Sequence, residues 1–214
     1  FRSASVSAQT HSRISINEVM GRKAGWLAFF SGTASGADFI LVPEKNFELQ
    51  NFIHDVKKRF KAQGFVNIVV SEGMNINPDD PVYQKAIAQD ARDQVLKALL
   101  TEKPETDPHG NIKLGGMGMI LQRILVNGMD VKMSLVRQSN IGFTLRGLHP
   151  NAFDINLGQR FGRKAVELLH EGKSGSMVGL RGMQIKTVPM KEALPQFTLD
   201  AMNDDELAAL GVYF

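Results

Sequence analysis

Four arginines, Arg13, Arg22, Arg137 and Arg146, each stand among apolar residues next to a predicted strand or at its end. A guanidinium in such a setting must find an anion, because burying it unpaired is costly. Pairing with an Asp or Glu meets that need as well as a phosphate does, so for any one arginine both readings stay open. Four together favour a phosphate pocket, since a planar fork grips two phosphate oxygens at once and a lysine cannot. Three predicted strands also end on polar residues, at Met20-Gly21-Arg22, at Pro43-Glu44 and at Ser71-Glu72-Gly73. Ligands of open parallel sheets gather at the carboxyl ends of strands, so a site is expected along that edge.

Other motifs carry less chemistry. Gly172-Lys173-Ser174 has the tail of a phosphate-binding P-loop, but Glu167 stands where the pattern needs its first glycine, and the segment ends a helix instead of opening one. Gly115-Gly116-Met117-Gly118 lacks the spacing of a dinucleotide loop and reads as a tight turn into a packed helix. The five histidines (11, 54, 109, 149 and 170) show no zinc-binding spacing and read as surface or turn residues. Lys57-Lys58-Arg59 reads as a solvated helix end.

The elements that must position these residues alternate. Residues 13–19, 39–42 and 66–70 are short apolar runs bounded by glycine and proline, and 132–137 is a further predicted strand. Helices are predicted over 24–34, 47–63, 79–100, 112–127, 150–172 and 204–210, and 177–180 with 183–188 as a strand pair. The pattern implies an α/β fold, a Rossmann-like parallel sheet sandwiched by helices. No element is predicted for the Ser-rich residues 1–11.

Composition sets the outer limits. The chain has 214 residues, 43% hydrophobic and 22% charged, enough for one large domain or two small lobes. A net charge of +3 is too small an excess to argue for nucleic acid and suits an anionic metabolite. Without cysteine, disulfides, thiolate catalysis and cysteine-bound zinc are excluded. No apolar run approaches the ~20 residues of a membrane span, and no signal-peptide core is present, so a cytoplasmic location is expected.

Glu18-Val19-Met20-Gly21-Arg22-Lys23-Ala24-Gly25-Trp26 resembles the E-V-M-G-R-x-A-G-W segment of phosphofructokinases. The likeness continues at Gly36-Ala37-Asp38, Ile40-Leu41-Val42-Pro43-Glu44, Val69-Val70-Ser71-Glu72-Gly73, Gly110-Asn111 and Leu114-Gly115-Gly116. It then runs from 137 to 180, including Arg146-Gly147, Pro150-x-Ala152-Phe153-Asp154 and Leu157-Gly158. The blocks keep the family's order over most of the chain; an insert at about 75–108 and the last twenty residues or so fall outside.

The resemblance implies the sugar-phosphate half of a 6-phosphofructokinase, an enzyme that moves a phosphoryl group from ATP or pyrophosphate to the 1-hydroxyl of fructose 6-phosphate. It implies 1–146 as the sugar-phosphate lobe, 147–195 as a segment returning to the donor lobe, and 196–214 as a tail. By position, Arg13 and Arg137 resemble the pair gripping the 6-phosphate from a neighbouring subunit, so a homo-oligomer is expected. Arg146 resembles the cation on that phosphate's other side, and Glu72 the carboxylate that takes bonds from sugar hydroxyls. Met20 and Gly21 would line the pocket. Arg22 resembles the catalytic cation beside the phosphoryl group in flight, where charge spreads over three oxygens. Arg22, Glu72 and Arg146 are therefore expected to share one cavity.

Three departures bear on this. Phe143 stands where the family has His or Tyr reaching the 6-phosphate, Leu148-His149 replaces a Gly and a small residue, and Ile155 replaces an Arg. The glycine-rich donor loops, the carboxylate for Mg2+ and the T-x-D base are expected upstream of Phe1, which leaves the isolated chain without a complete catalytic apparatus. The long insert and Gly110-Asn111-Ile112-Lys113 lean toward the pyrophosphate-linked branch, with the donor left open. Phe143 and Ile155 also suit a rival reading, a non-catalytic half that keeps the pocket as an effector site.

Overall fold

A computed structural model describes residues 2–89, 106, 114–193 and 198–214. The chain divides into two compact units, one of Phe1–Phe143 with Leu199–Phe214 and one of Thr144–Thr198.

In the first unit, four strands form a parallel sheet in the order β2-β3-β1-β4: β1 (Ile14–Val19), β2 (Phe39–Leu41), β3 (Val66–Ser71) and β4 (Val136–Asn140). Ile14 pairs with both Val66 and Val136, which fixes the register of β3, β1 and β4. Every residue of β1, β2 and β3 is buried. That is the signature of strands covered on both faces, and it explains why their apolar runs do not alternate.

Helices cover both faces. Helix α1 (Arg2–Thr10) and α2 (Trp26–Ser35) pack on one, and α3 (Leu49–Gln63), α4 (Pro81–Gln89) and α5 (Met117–Met129) form a layer on the other. In α3 the buried residues Leu49, Phe52, Ile53 and Val56 recur at helical spacing. They meet Ile16, Ile68, Val70, Leu121 and Leu125 in one core. Phe52 is wholly buried among Phe39, Phe47 and Tyr213, whose ring centroids lie 5.2–5.6 Å from its own. Gly32 of α2 lets that helix seat on β2, since a Cβ there would lie 2.5 Å from Ile40.

The chain's end returns to this sheet. The Ile40 amide donates to Gly211 O at 2.8 Å and the Tyr213 amide to Ile40 O at 3.0 Å, which covers the β2 edge. Tyr213 also donates its hydroxyl to Asp55 at 2.8 Å. Helix α8 (Asp204–Ala209) is held by Lys45, whose Nζ lies 2.6 Å from Asp204.

The second unit contains α6 (Ala152–His170), an antiparallel hairpin of β5 (Ser176–Arg181) and β6 (Gln184–Pro189), and the single-turn α7 (Met190–Ala193). Asn151 and Asp154 form a reciprocal capping box at the start of α6. Phe153, Val166 and Leu169 on this helix are more than 60% exposed.

Two expectations are corrected. Residues 1–11 include a helix, which weak Ser and Thr propensities hide; tertiary contacts supply what propensity lacks. Ala8 is buried, and Ser5 accepts from the Asn67 side chain at 2.7 Å. The strand predicted over 132–137 begins later. Met133–Leu135 is a 3-10 turn and β4 runs from Val136 to Asn140, where Val136 alone is buried. An edge strand with so few apolar residues gives no hydrophobic run to read. The helix predicted over 79–100 is present as α4; residues 90–100, Gly110-Asn111 and His109 lie outside the described residues.

Candidate functional site at the carboxyl ends of the strands

Behind the last residue of β1 the chain turns sharply through Met20, Gly21 and Arg22. A Cβ on Gly21 would lie 2.5 Å from Ala24 O, so this turn admits no side chain at 21. Arg22 itself takes the left-handed conformation, φ 49°. Glu72, directly after β3, receives the Gly21 and Arg22 amides on one oxygen, Oε1, at 3.2 and 3.3 Å. The two loops touch through backbone as well. A Cβ on Gly73 would fall 1.4 Å from Arg22 O, and no side chain fits there.

The other loops at this edge are held in the same way. Glu44, after β2, accepts the Gly25 amide on both oxygens at 2.9 and 3.0 Å and so anchors the start of α2. Glu18, in β1, is 1% exposed. It accepts from the Gly116 amide at 3.0 Å, the Gly118 amide at 2.7 Å and the Asn140 side chain at 3.1 Å. Burial pushes its carboxyl above the usual 4.5, opposed by the two amides and aided by the negative charge of Glu72. Sequence patterns alone do not single out Glu18, because its partners lie about a hundred positions downstream.

Met20, Gly21, Arg22 and Glu72 thus share one edge, and the second oxygen of Glu72 has no partner among the described residues. Arg13 does not join them. It precedes β1 at the opposite end of the sheet, six strand residues away from Met20, about 20 Å at ~3.3 Å per residue. Arg137, paired with Ser15 in β4, belongs to that amino-terminal half too. There Arg13 lines a cleft of about 410 Å³ with His11, Lys132 and Ser134. His11 and Lys132 are additional basic residues that the sequence motifs do not single out. Phe143 and Arg146 lie in the 3-10 stretch Gly142–Gly147, and their side chains are outside what the structure describes.

Among the described residues no group of three or more His, Asp or Glu side chains is placed to hold a metal ion. No helix among them is long and apolar enough to cross a membrane.

The phosphofructokinase family model matches residues 1–169. The chain belongs to the phosphofructokinase family. It is 36% identical to the pyrophosphate–fructose 6-phosphate 1-phosphotransferase of Streptomyces coelicolor, over 97% of this chain and 54% of that protein. It is 33% identical to the ATP-dependent 6-phosphofructokinase of Mycobacterium leprae, over 96% of this chain and 54% of the relative. The crystal structure of a pyrophosphate-dependent phosphofructokinase from Marinobacter aquaeolei shares the fold, with a TM-score of 0.65 at 19% identity over 99% of this chain and 52% of that one. The chain therefore spans about half the length of these relatives.

Proposed function

We propose that this phosphofructokinase-family chain supplies the fructose 6-phosphate site of a 6-phosphofructokinase. Glu72 and the Met20-Gly21-Arg22 turn form the sugar pocket, and Arg22 faces the phosphoryl group as it moves from ATP or pyrophosphate to the 1-hydroxyl. From the resemblance alone, Arg146 and Phe143 are proposed as the residues that meet the 6-phosphate. The observation that carries this reading is the clamp of Glu72 on the Gly21 and Arg22 amides, which leaves one carboxylate oxygen to accept from a sugar hydroxyl beside the Arg22 loop. Arg13 and Arg137 stand too far from that clamp to hold the same small sugar, which supports their serving a neighbouring subunit's site in a homo-oligomer. The donor site, the base and the Mg2+ ligands belong to residues outside this chain. Relatives using pyrophosphate and ATP match at similar identity, 36% and 33%, so either donor is compatible.

A second reading, a sugar-phosphate effector module without catalysis, draws on the Phe143 and Ile155 departures. Calorimetric titration of the chain with fructose 6-phosphate, alone and mixed with the amino-terminal half of a relative, separates the two. Saturable binding with phosphotransfer restored on mixing supports the enzyme; binding with no rescue supports the effector module. Absence of binding in both arms refutes both readings.

A further inference from the structure

The Gly115-Gly116-Met117-Gly118 turn has no part in the site as proposed, yet its backbone is specialised. Gly115 and Gly116 take φ values of 141° and 88°, where only glycine sits without strain. Such a turn aims the first amides of α5 at a single point, an arrangement that elsewhere receives a phosphate. Here the point is filled by a side chain of the chain itself, the Glu18 carboxylate.

Burying a carboxylate is costly unless its oxygens are hydrogen-bonded. Glu18 meets that condition without a cation. No Lys or Arg pairs with it among the described residues; the two glycine amides, the amino end of the α5 dipole and the Asn140 amide hold its charge. The fit on the helix side is close, since a Cβ on Gly118 would lie 3.2 Å from Oε2. The main chain around Glu18 is tied as tightly. Its carbonyl accepts the Ile141 amide at 3.1 Å, and that of Val19 accepts the Glu72 amide at 2.8 Å. One residue therefore joins the start of α5, the end of β4 and, through the adjacent Val19, the Glu72 loop. All of this happens two positions before Met20.

We infer that Glu18 is a positioning residue for the carboxyl-edge site: by holding α5 and the end of β4 against the last residues of β1, it sets where the Met20-Gly21-Arg22 turn lies relative to Glu72. A purely packing role would be met as well by an apolar side chain of similar volume, and with less desolvation. Directed bonds to two separate elements fix position, which packing alone does not.

This inference rests on the proposed reading of the edge as a sugar-phosphate site, so its test has two readouts. In Glu18→Gln the volume stays, but one acceptor becomes an amide NH2 that faces a glycine N–H. The full chain is followed by amide NMR and hydrogen exchange, and by calorimetry with fructose 6-phosphate. The expected result is a folded variant whose Gly21 and Arg22 amides shift and exchange faster together with Gly116 and Gly118, and whose affinity falls about tenfold, ~1.4 kcal/mol. If Gly116 and Gly118 respond while Gly21 and Arg22 stay at their wild-type shifts and rates, the inference is overturned. Should Glu18→Gln not fold, Gly118→Ala presses on the same carboxylate from the helix side and is read by the same amides. If the wild-type chain binds no fructose 6-phosphate, the functional reading fails, and the amide coupling still decides the positioning role.

Discussion

The two ends of the parallel sheet are built on opposite plans. At the carboxyl end, three carboxylates, Glu18, Glu44 and Glu72, each accept backbone amides from a loop, and the glycines at 21 and 73 let those loops press together. At the amino end, His11, Arg13 and Lys132 line one cleft and Arg137, on β4, pairs with Ser15, with no acid paired to these four among the described residues. The first end ties its loops together through hydrogen bonds within the chain, leaving one Glu72 oxygen and the buried Ser71 hydroxyl without a partner among the described residues. The second carries its basic side chains without a carboxylate partner among the described residues. Directed hydrogen bonds within the chain fix geometry at the first end, whereas uncommitted basic side chains at the second create a positive potential.

The carboxyl end is most sensitive at Gly73, where the two loops meet backbone to backbone. Gly73→Ala puts a Cβ into Arg22 O, so the two loops must separate; an unfolding free energy lower by about 1–3 kcal/mol and loss of the fructose 6-phosphate binding heat are expected. Denaturant titration and calorimetry check both. Glu72→Ala removes the clamp but no packing, and affinity should fall by roughly 1–3 kcal/mol with a smaller change in stability. An Arg13→Ala, Arg137→Ala double variant should leave stability within about 0.5 kcal/mol of wild type, because neither cation is paired among the described residues. A larger loss in urea unfolding would show that the amino end is structural after all.

Much of this was legible in residues alone. The apolar runs of β1, β2 and β3 name themselves, and Gly36 and Gly64 mark the ends of α2 and α3, where both take positive φ. Glu72 and the Met20–Arg22 turn stand out because they are polar residues ending apolar strands. Glu18 does not, since it lies inside a buried strand and meets its partners only once β1 and α5 are adjacent. The separation of Arg13 from Glu72 follows from the parallel sheet that the strand pattern implies. Arg13 precedes its strand and Glu72 follows its own, and the parallel pairing of β1 with β3 places them at opposite ends.

The smallest expected effect sharpens the role of Glu18. Its pKa is raised on folding, chiefly by burial, so the native state holds the proton more tightly than the unfolded chain, whose value is near 4.5. Its contribution to stability is therefore fully present below that value and is lost as pH rises through the raised native value. Urea unfolding of wild type across this window should show stability declining relative to Glu18→Gln as pH rises. Parallel curves for the two proteins would contradict that assignment.

The most direct test of the sugar-phosphate site is amide shift mapping during titration with fructose 6-phosphate. Saturable shifts concentrated at residues 20–22 and 72–73, diminished in Glu72→Ala, are expected. Shifts confined to other surfaces, or none at saturating ligand, would contradict that site.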